Sequence, residues 1–515
     1  MGIVFRQSIK TTLVTFLGAL LGAVVILLST RLLPPQLFGF SRNLQNQALV
    51  GSQFVLMGMH STLLVYIEKY PPQSKGRPLL ITISVLAPFI LSIILGMAFV
   101  ALKPIIVPLY QKEDIELVSR YFLWLPFYTL LWGWLALLEQ FLISQMKVAV
   151  ATFMREVVLR ILNILLIILF AIGSISVDFF IIAGILVHAI PVLCLFILAR
   201  NTGGFKFSLD FSRLSREEYK SISDFAFFHS LLNASLNLLA YVDVLMVGAM
   251  DKNGMVAVAV YSAASFIISI YQIPYRAMAT AATPLLIKAF EEKDLKKVKD
   301  LFDRSGVNIQ LVCVGMAAIV IGNLQNLSVL GPRYEAAGAI VLVLIAGRLV
   351  EAATGLNDQM LSISKHYRFN FYLTIGLVIC TIALNLALIP RYGIVGAACS
   401  TSISLIIVNL IKYGYLWRKM GLQTFTRGTL SILFSGIITI AIIHFIPSLY
   451  NSAHQFLLTY QFIPSTVSQY LAAGADAIVR SAIAIVIYGG MILILKPSPD
   501  LAVYVSSVIK NKRLF

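Results

Sequence analysis

The residues able to do chemistry in this chain are few, and most are charges set inside apolar runs. One run holds Arg348, Glu351 and Asp358. On a helix Arg348 and Glu351, three apart, share a face, and Asp358, seven beyond Glu351, returns to that side. A second run carries Glu139 near its end, and a third carries Asp243. Arg42, Arg120 and Arg276 stand near the ends of others. A charge inside lipid costs roughly 2.5–3.5 kcal/mol on insertion scales, so each needs a reason. Two chemistries fit. Guanidinium groups hold phosphate through paired donors, a role open to Arg348, Arg276, Arg42 and Arg120. A carboxylate can bind a proton or Na⁺, or latch against a Lys or Arg, a role open to Asp243, Glu139, Asp358 and Glu351. The plainer alternatives are an internal Arg348–Glu351 pair, an arginine partner for Asp243, and an interfacial position for Arg42 and Arg120. His60 reads as a satisfied polar contact. There are no paired catalytic carboxylates, HExxH, P-loop or GxSxG in context. No enzyme activity, cofactor or metal is expected.

The elements that must position these charges follow from composition. Of 515 residues, 59% are hydrophobic and 12% charged, with mean hydropathy +0.89. A soluble domain carries about 25% charged residues. A soluble multidomain enzyme is excluded, and so is a disordered chain. Runs of about twenty apolar residues, the length of a membrane helix, lie near 11–30, 44–67, 79–101, 119–143, 155–174 and 178–199. After a polar stretch they resume near 225–249, 255–277, 306–329, 337–361, 370–389 and 394–416, with two more near 428–447 and 477–495. The expectation is an all-α membrane protein of about fourteen spans. The first run is too long for a signal-peptide core and is read as an uncleaved span. The four cysteines sit singly in apolar runs and read as small buried hydrophobes.

The net charge of +17 suggests nucleic acid only until it is sorted by loop. With the N-terminus inside, most Lys and Arg fall in inner loops, among them Lys69, Arg77, Arg200, Arg213, Lys288, Arg418, Lys510, Lys512 and Arg513. The excess is therefore topological, no nucleic-acid partner is expected, and both termini are placed in the cytoplasm. Phe290–Arg304 is charged yet periodic, with Leu295, Val298, Leu301 and Phe302 on one face. It reads as an amphipathic helix on the inner membrane surface between spans eight and nine.

A weak repeat is also present. Glu139-Gln140-Phe141-Leu142 in span four matches Asp358-Gln359-Met360-Leu361 in span ten, and Arg200 before Gly203-Gly204 matches Arg418 before Gly421. Paired spans cross in the same direction. This predicts a parallel repeat of six helices plus six, with substrate between the halves near the midplane. The expected domains are 1–222, 223–420 and an added pair of spans with a tail, 421–515.

Several motifs carry a resemblance. They are Leu33-Pro34-Pro35-Gln36-Leu37-Phe38-Gly39, Asp243-Val244-Leu245-Met246-Val247-Gly248, Gly331-Pro332-Arg333-Tyr334, and Leu388-Ile389-Pro390-Arg391-Tyr392-Gly393-Ile394-Val395-Gly396. Together, over most of residues 10–420, they resemble the polysaccharide-transporter branch of the multidrug/oligosaccharidyl-lipid/polysaccharide exporter superfamily, the O-antigen-type flippases. The resemblance implies two six-helix bundles in a V. It implies movement of an undecaprenyl-pyrophosphate-linked oligosaccharide from the inner to the outer leaflet of a bacterial cytoplasmic membrane. Membrane lipid, H⁺ or Na⁺, and the glycosyltransferases and polymerase of the same pathway are the partners it suggests. A lipid II flippase or ion-coupled drug exporter of the same superfamily is the nearest alternative. A membrane polysaccharide polymerase or glycosyltransferase is the alternative from another class, disfavoured because the outer loop near 448–476 offers only His454 and Asp476 as ionisable groups.

Overall fold

Apolar runs of this length can satisfy their backbone in lipid only as helices or closed barrels, and here they are helices. The computed structural model describes residues 2–71, 73–202, 204–458 and 465–498, and among these there is no strand. The expected tail bearing Lys510, Lys512 and Arg513 lies outside the described residues, as does Gly203 of the repeat.

The helices, in chain order, are α1 (Gly2–Leu32), α2 (Pro35–Leu56), α3 (Met59–Tyr66), α4 (Gly76–Ile106), α5 (Lys112–Tyr121), α6 (Leu125–Ser144) and α7 (Val148–Phe153). After a π-helical turn at Met154–Val158 come α8 (Leu159–Ala171), α9 (Val177–Leu186), α10 (Ala189–Arg200), α11 (Arg216–Met250) and α12 (Gly254–Tyr271). The remainder are α13 (Ile273–Glu291), α14 (Leu295–Gly322), α15 (Ala336–Ala353), α16 (Asn357–Ile363), α17 (Tyr367–Met420), α18 (Arg427–Phe445), α19 (Tyr450–Leu458) and α20 (Ser465–Leu495).

Among the described residues eleven helices are long and apolar enough to cross a membrane, or twelve when the bent pair α2–α3 counts as one. The sequence count of fourteen is not reached by this measure, and two features explain the gap. The segment expected as span five is divided among α7, the π turn and α8, no piece longer than 13 residues. Spans eleven and twelve merge into the 54-residue α17. A straight helix of that length would run roughly 80 Å, far beyond a hydrocarbon core of about 30 Å. It is in fact broken at Gly393, whose φ of 59° and ψ of −140° are not helical.

The helices form two compact units. One gathers the chain up to Ser262 together with Asn385–Ile394; the other gathers Ala263–Leu384 and the chain from Val395 onward. In the first unit α5–α6 is central, with 67% of its most apolar window buried, whereas the α4 span, at 11%, turns mostly outward. Leu137, Phe141 and Leu142 of α6 pack with Leu56, Leu63, Leu79, Leu80 and Leu195 in one buried apolar cluster. In the second unit Val307 and Val314 of α14 meet Ile432 of α18 and Tyr488 and Ile492 of α20, and the Tyr488 hydroxyl donates to the Leu311 carbonyl at 2.7 Å.

The motifs prove to be joints. Pro35 opens α2, where its missing N–H costs nothing. Gln36 donates to Asp114 Oδ1 at 2.6 Å, and Asp114 Oδ2 accepts the Met255 N–H at 2.9 Å. Gly39 lies against the Met255 carbonyl so closely that a Cβ would sit 1.7 Å from its oxygen. Gly393 takes its left-handed turn beside Asp251, whose carboxylate a Cβ would meet at 2.7 Å.

Two local expectations fail. The charged segment 290–304 is not a surface helix of its own. Lys293, at φ 54°, ends α13, Asp294 caps the next helix by accepting from the Lys297 N–H, and Leu295 onward is the first part of α14. Val298 and Phe302 are buried, but Leu295 is exposed. At this joint the Lys297 ammonium, 2.8 Å from Glu292, holds that carboxyl below its usual range. The outer loop near 448–476 likewise becomes α19 and the first turns of α20 over most of its described residues.

Candidate functional site

Three of the charges that organise the first unit arise at the π turn. Arg155 and Glu156 sit within it, and Arg160 lies in the first turn of α8. Arg155 Nη1 donates to Glu139 Oε2 on α6 at 2.9 Å, and its Nε to Glu156 Oε1 at 3.2 Å. Arg160 Nη2 donates to Glu156 Oε2 at 2.6 Å. In an α-helix residues five apart point about 140° away from each other; a π turn repeats at five. The turn therefore lets Arg155 and Arg160 reach one carboxylate. Glu139 is buried, whereas Arg155 keeps 43% of its side chain exposed. Arg160 Nη1 is buried with no hydrogen-bond partner among the described residues, an omission that costs about 1–3 kcal/mol.

Arg42 of α2 belongs to the same neighbourhood. It donates to Gln45 at 3.1 Å and lies over the Phe38 ring, within electrostatic range of Arg160, Tyr128 and Tyr241. Two guanidiniums thus hold two carboxylates, and a third, that of Arg42, lies near Arg160. The α1 helix closes on this site at Gly18, where a Cβ would come 2.8 Å from Glu156 Cβ.

Asp243 is buried in α11. It accepts from the Tyr261 hydroxyl at 2.7 Å and from the Asn385 amide at 2.8 Å. Arg120 stands apart, 55% exposed, paired with Asp178 at 2.9 Å and with Glu116 at 3.5 Å; the Tyr121 hydroxyl donates to the same Asp178.

In the second unit Arg348 Nη1 donates to Glu351 Oε2 at 2.8 Å. Asp358 does not continue their face. The α15 helix ends at Ala353, and Gly355, at φ 75°, redirects the chain before α16. Asp358 instead pairs at 2.5 Å with Lys412 of α17, a buried lysine. Tyr275 lies within electrostatic range of Arg348, Glu351 and Asp358. Arg276 is exposed and donates to Gln272 at 2.6 Å, at the joint where Pro274 starts α13.

A further pair lies in α20. Arg480 Nε donates to Asp476 Oδ2 at 2.8 Å, with side chains 3% and 1% exposed. Arg480 also donates to the Ile443 and Ile446 carbonyls at the end of α18. Asp476 accepts from Asn326 and from the Leu449 N–H. Asp476 is thus a buried helix residue, not the loop residue expected from sequence.

The structure therefore joins Glu139 and Arg42 to residues the sequence reading passed over, namely Arg155, Glu156 and Arg160. Their signal was available: Arg155-Glu156-x-x-x-Arg160 opens an apolar run with as many charges as span ten. Lys412, Tyr261 and Asn385 offered no local signal, since each is placed by tertiary contact.

This fold, with charges paired inside long apolar helices, is that of a multi-pass membrane protein. The chain belongs to the family described as polysaccharide biosynthesis protein, which matches residues 4–290. The probable flippase AglR of Haloferax volcanii is 23% identical over 214 residues, 41% of this chain and 44% of that protein, so the match spans less than half of the relative. Among solved structures, the lipid II flippase MurJ in an inward closed conformation is similar at TM-score 0.65 and 14% identity, covering 93% of this chain and 99% of that one. An inward-facing multidrug resistance MATE family transporter of the MOP superfamily gives 0.62 and 17%, covering 78% and 94%. These two likenesses show the shared fold.

Proposed function

We propose that this protein exports a lipid-linked oligosaccharide, carried on undecaprenyl pyrophosphate, from the inner to the outer leaflet of a bacterial cytoplasmic membrane, with both termini inside. The observation that carries the reading is the cluster at the π turn, where three arginines outnumber two carboxylates and one guanidinium N–H lacks an acceptor. A diphosphate is a natural acceptor for such a group. Family membership supports the carbohydrate part of the cargo.

In this proposal the halves 1–222 and 223–420 alternate access, with 421–515 appended. Arg42 and Arg348 attend the head group, and Arg276 and Arg120 serve its approach from the span ends. Glu139, Glu351 and Asp358 hold basic partners until cargo or gating releases them. Asp243, buried and bonded to two neutral donors, takes the coupling H⁺ or Na⁺. Each charge crossing 100 mV is worth about 2.3 kcal/mol. A diphosphate diester with about two negative charges gains roughly 4–5 kcal/mol moving outward across an inside-negative membrane. The potential drives export, and ion exchange resets the carrier. Glycosyltransferases and a polymerase of the same pathway would supply and consume the cargo.

The test is flipping of lipid-linked oligosaccharide in proteoliposomes, with lipid II as the comparison cargo. Faster flipping under an imposed inside-negative potential is expected, with Asp243→Asn removing the response to an ion gradient. Flipping indifferent to both potential and ion gradients would sink the mechanism. Preference for lipid II would transfer the reading to that cargo.

A further inference from the structure

Neither carboxylate at the π turn has an obvious reason to be there if the arginines serve only to hold a diphosphate. Glu139 and Glu156 occupy the donors of Arg155 and Arg160 that an incoming phosphate would use. The arrangement is nonetheless incomplete, because Arg160 Nη1 stays buried and unbonded and Arg42 adds a third cation within range. It is also reachable, since 43% of the Arg155 side chain is exposed. From this juxtaposition we infer that the π turn is an anion-exchange site: Glu139 and Glu156 are internal competitors, displaced from Arg155 and Arg160 when a diphosphate group binds. The inference rests on the diphosphate cargo proposed above and adds residues and a selectivity device to it.

The device follows from charge and geometry. Two fixed carboxylates keep the guanidiniums paired while no cargo is present, so a singly charged anion gains little by replacing them. A diphosphate carries more charge and more acceptor oxygens, and spans two guanidiniums at once. The unbonded Arg160 Nη1 gives it a first hydrogen bond that displaces nothing. After cargo leaves, the carboxylates reclaim the arginines, so affinity is held low enough for release.

The test uses the full-length protein in nanodiscs with inorganic pyrophosphate as probe, followed by calorimetry. Replacing the competitors with neutral isosteres, Glu139→Gln with Glu156→Gln, is expected to tighten pyrophosphate binding about tenfold or more and to slow turnover of lipid-linked cargo. Arg155→Gln should weaken binding by a similar factor, with Arg155→Lys between the two. A second measurement needs no variant. Pyrophosphate should slow modification of Arg155 by phenylglyoxal in the wild-type chain, read by mass spectrometry, and leave modification of the exposed Arg213 unchanged. Pyrophosphate affinity that falls or stays constant in the double glutamine variant, or an Arg155 that pyrophosphate does not protect, would overturn the inference. The two readings fail separately. Competitor-sensitive pyrophosphate binding without flipping of lipid-linked oligosaccharide removes the cargo reading and leaves the site. Robust flipping with a pyrophosphate-insensitive π turn removes the site and leaves the cargo reading.

Discussion

The buried Asp476–Arg480 pair and the ion-pair cluster at the π turn differ in how completely they are closed. At Asp476–Arg480 each of the three guanidinium nitrogens has a partner: the carboxylate, the Ile443 carbonyl and the Ile446 carbonyl. The carboxylate is bonded further to Asn326 and Leu449, and the side chains are almost wholly buried. At the π turn the same kinds of group are left with an orphan N–H and an accessible arginine. A closed pair uses its charge to tie backbone ends together, here the end of α18 to the start of α19. An open one keeps interaction energy in reserve for a ligand. Fully satisfied buried networks rigidify, and partly satisfied ones are costly to keep, so an open cluster inside lipid argues for use.

The largest expected effect lies in the closed cluster. Arg480→Ala leaves Asp476 buried and unpaired, and should destabilise the protein by about 3–5 kcal/mol, seen as loss of the monodisperse peak in detergent. A variant with unchanged stability would break the contrast. Arg155→Ala also leaves a buried carboxylate, Glu139, without its partner, so some loss of stability should accompany transport reduced roughly 10- to 100-fold, the equivalent of one charged hydrogen bond at about 1.5–3 kcal/mol. Arg348→Ala is intermediate. Its pair with Glu351 is half-buried, so a modest loss of stability should accompany accumulation of lipid-linked oligosaccharide in the inner leaflet. Wild-type flipping by this variant would remove Arg348 from the transport path. The smallest effect is predicted for Arg120→Ala. Its pair with Asp178 is exposed, and exposed pairs contribute little; melting temperature should not move measurably, and flipping should slow less than in Arg348→Ala.

Much of the helical plan was legible because hydropathy is an average over about twenty residues, and each expected span falls on helix. What escaped were features of phase and of distance. A helix wheel carries Asp358 back to the Arg348–Glu351 face only if the helix continues, and the left-handed Gly355 stops it. Periodicity likewise cannot show that Lys293 and Asp294 restart a helix inside a charged segment. The partner of Asp358 lies 54 residues away in sequence, and the partners of Asp243 lie 18 and 142 away. The Arg155–Arg160 pairing stayed hidden for a different reason: at the ordinary helical repeat those side chains diverge, and only the π turn aligns them.

The π turn also absorbs a residue without disturbing what lies beyond it. It amounts to one extra residue in an otherwise regular helix, so deleting a residue there would close the turn to an ordinary α-helix and leave α8 in its present phase. Ile161, Leu165 and Ile168 would stay exposed, and Leu159, Leu166 and Ile167 would stay in the interior. Deleting Met154, at the start of the turn, should therefore spare the packing of α8 and still part Arg155 from Arg160, and a graft of Arg155, Glu156 and Arg160 onto an unbroken helix would reproduce the letters of the site without its geometry.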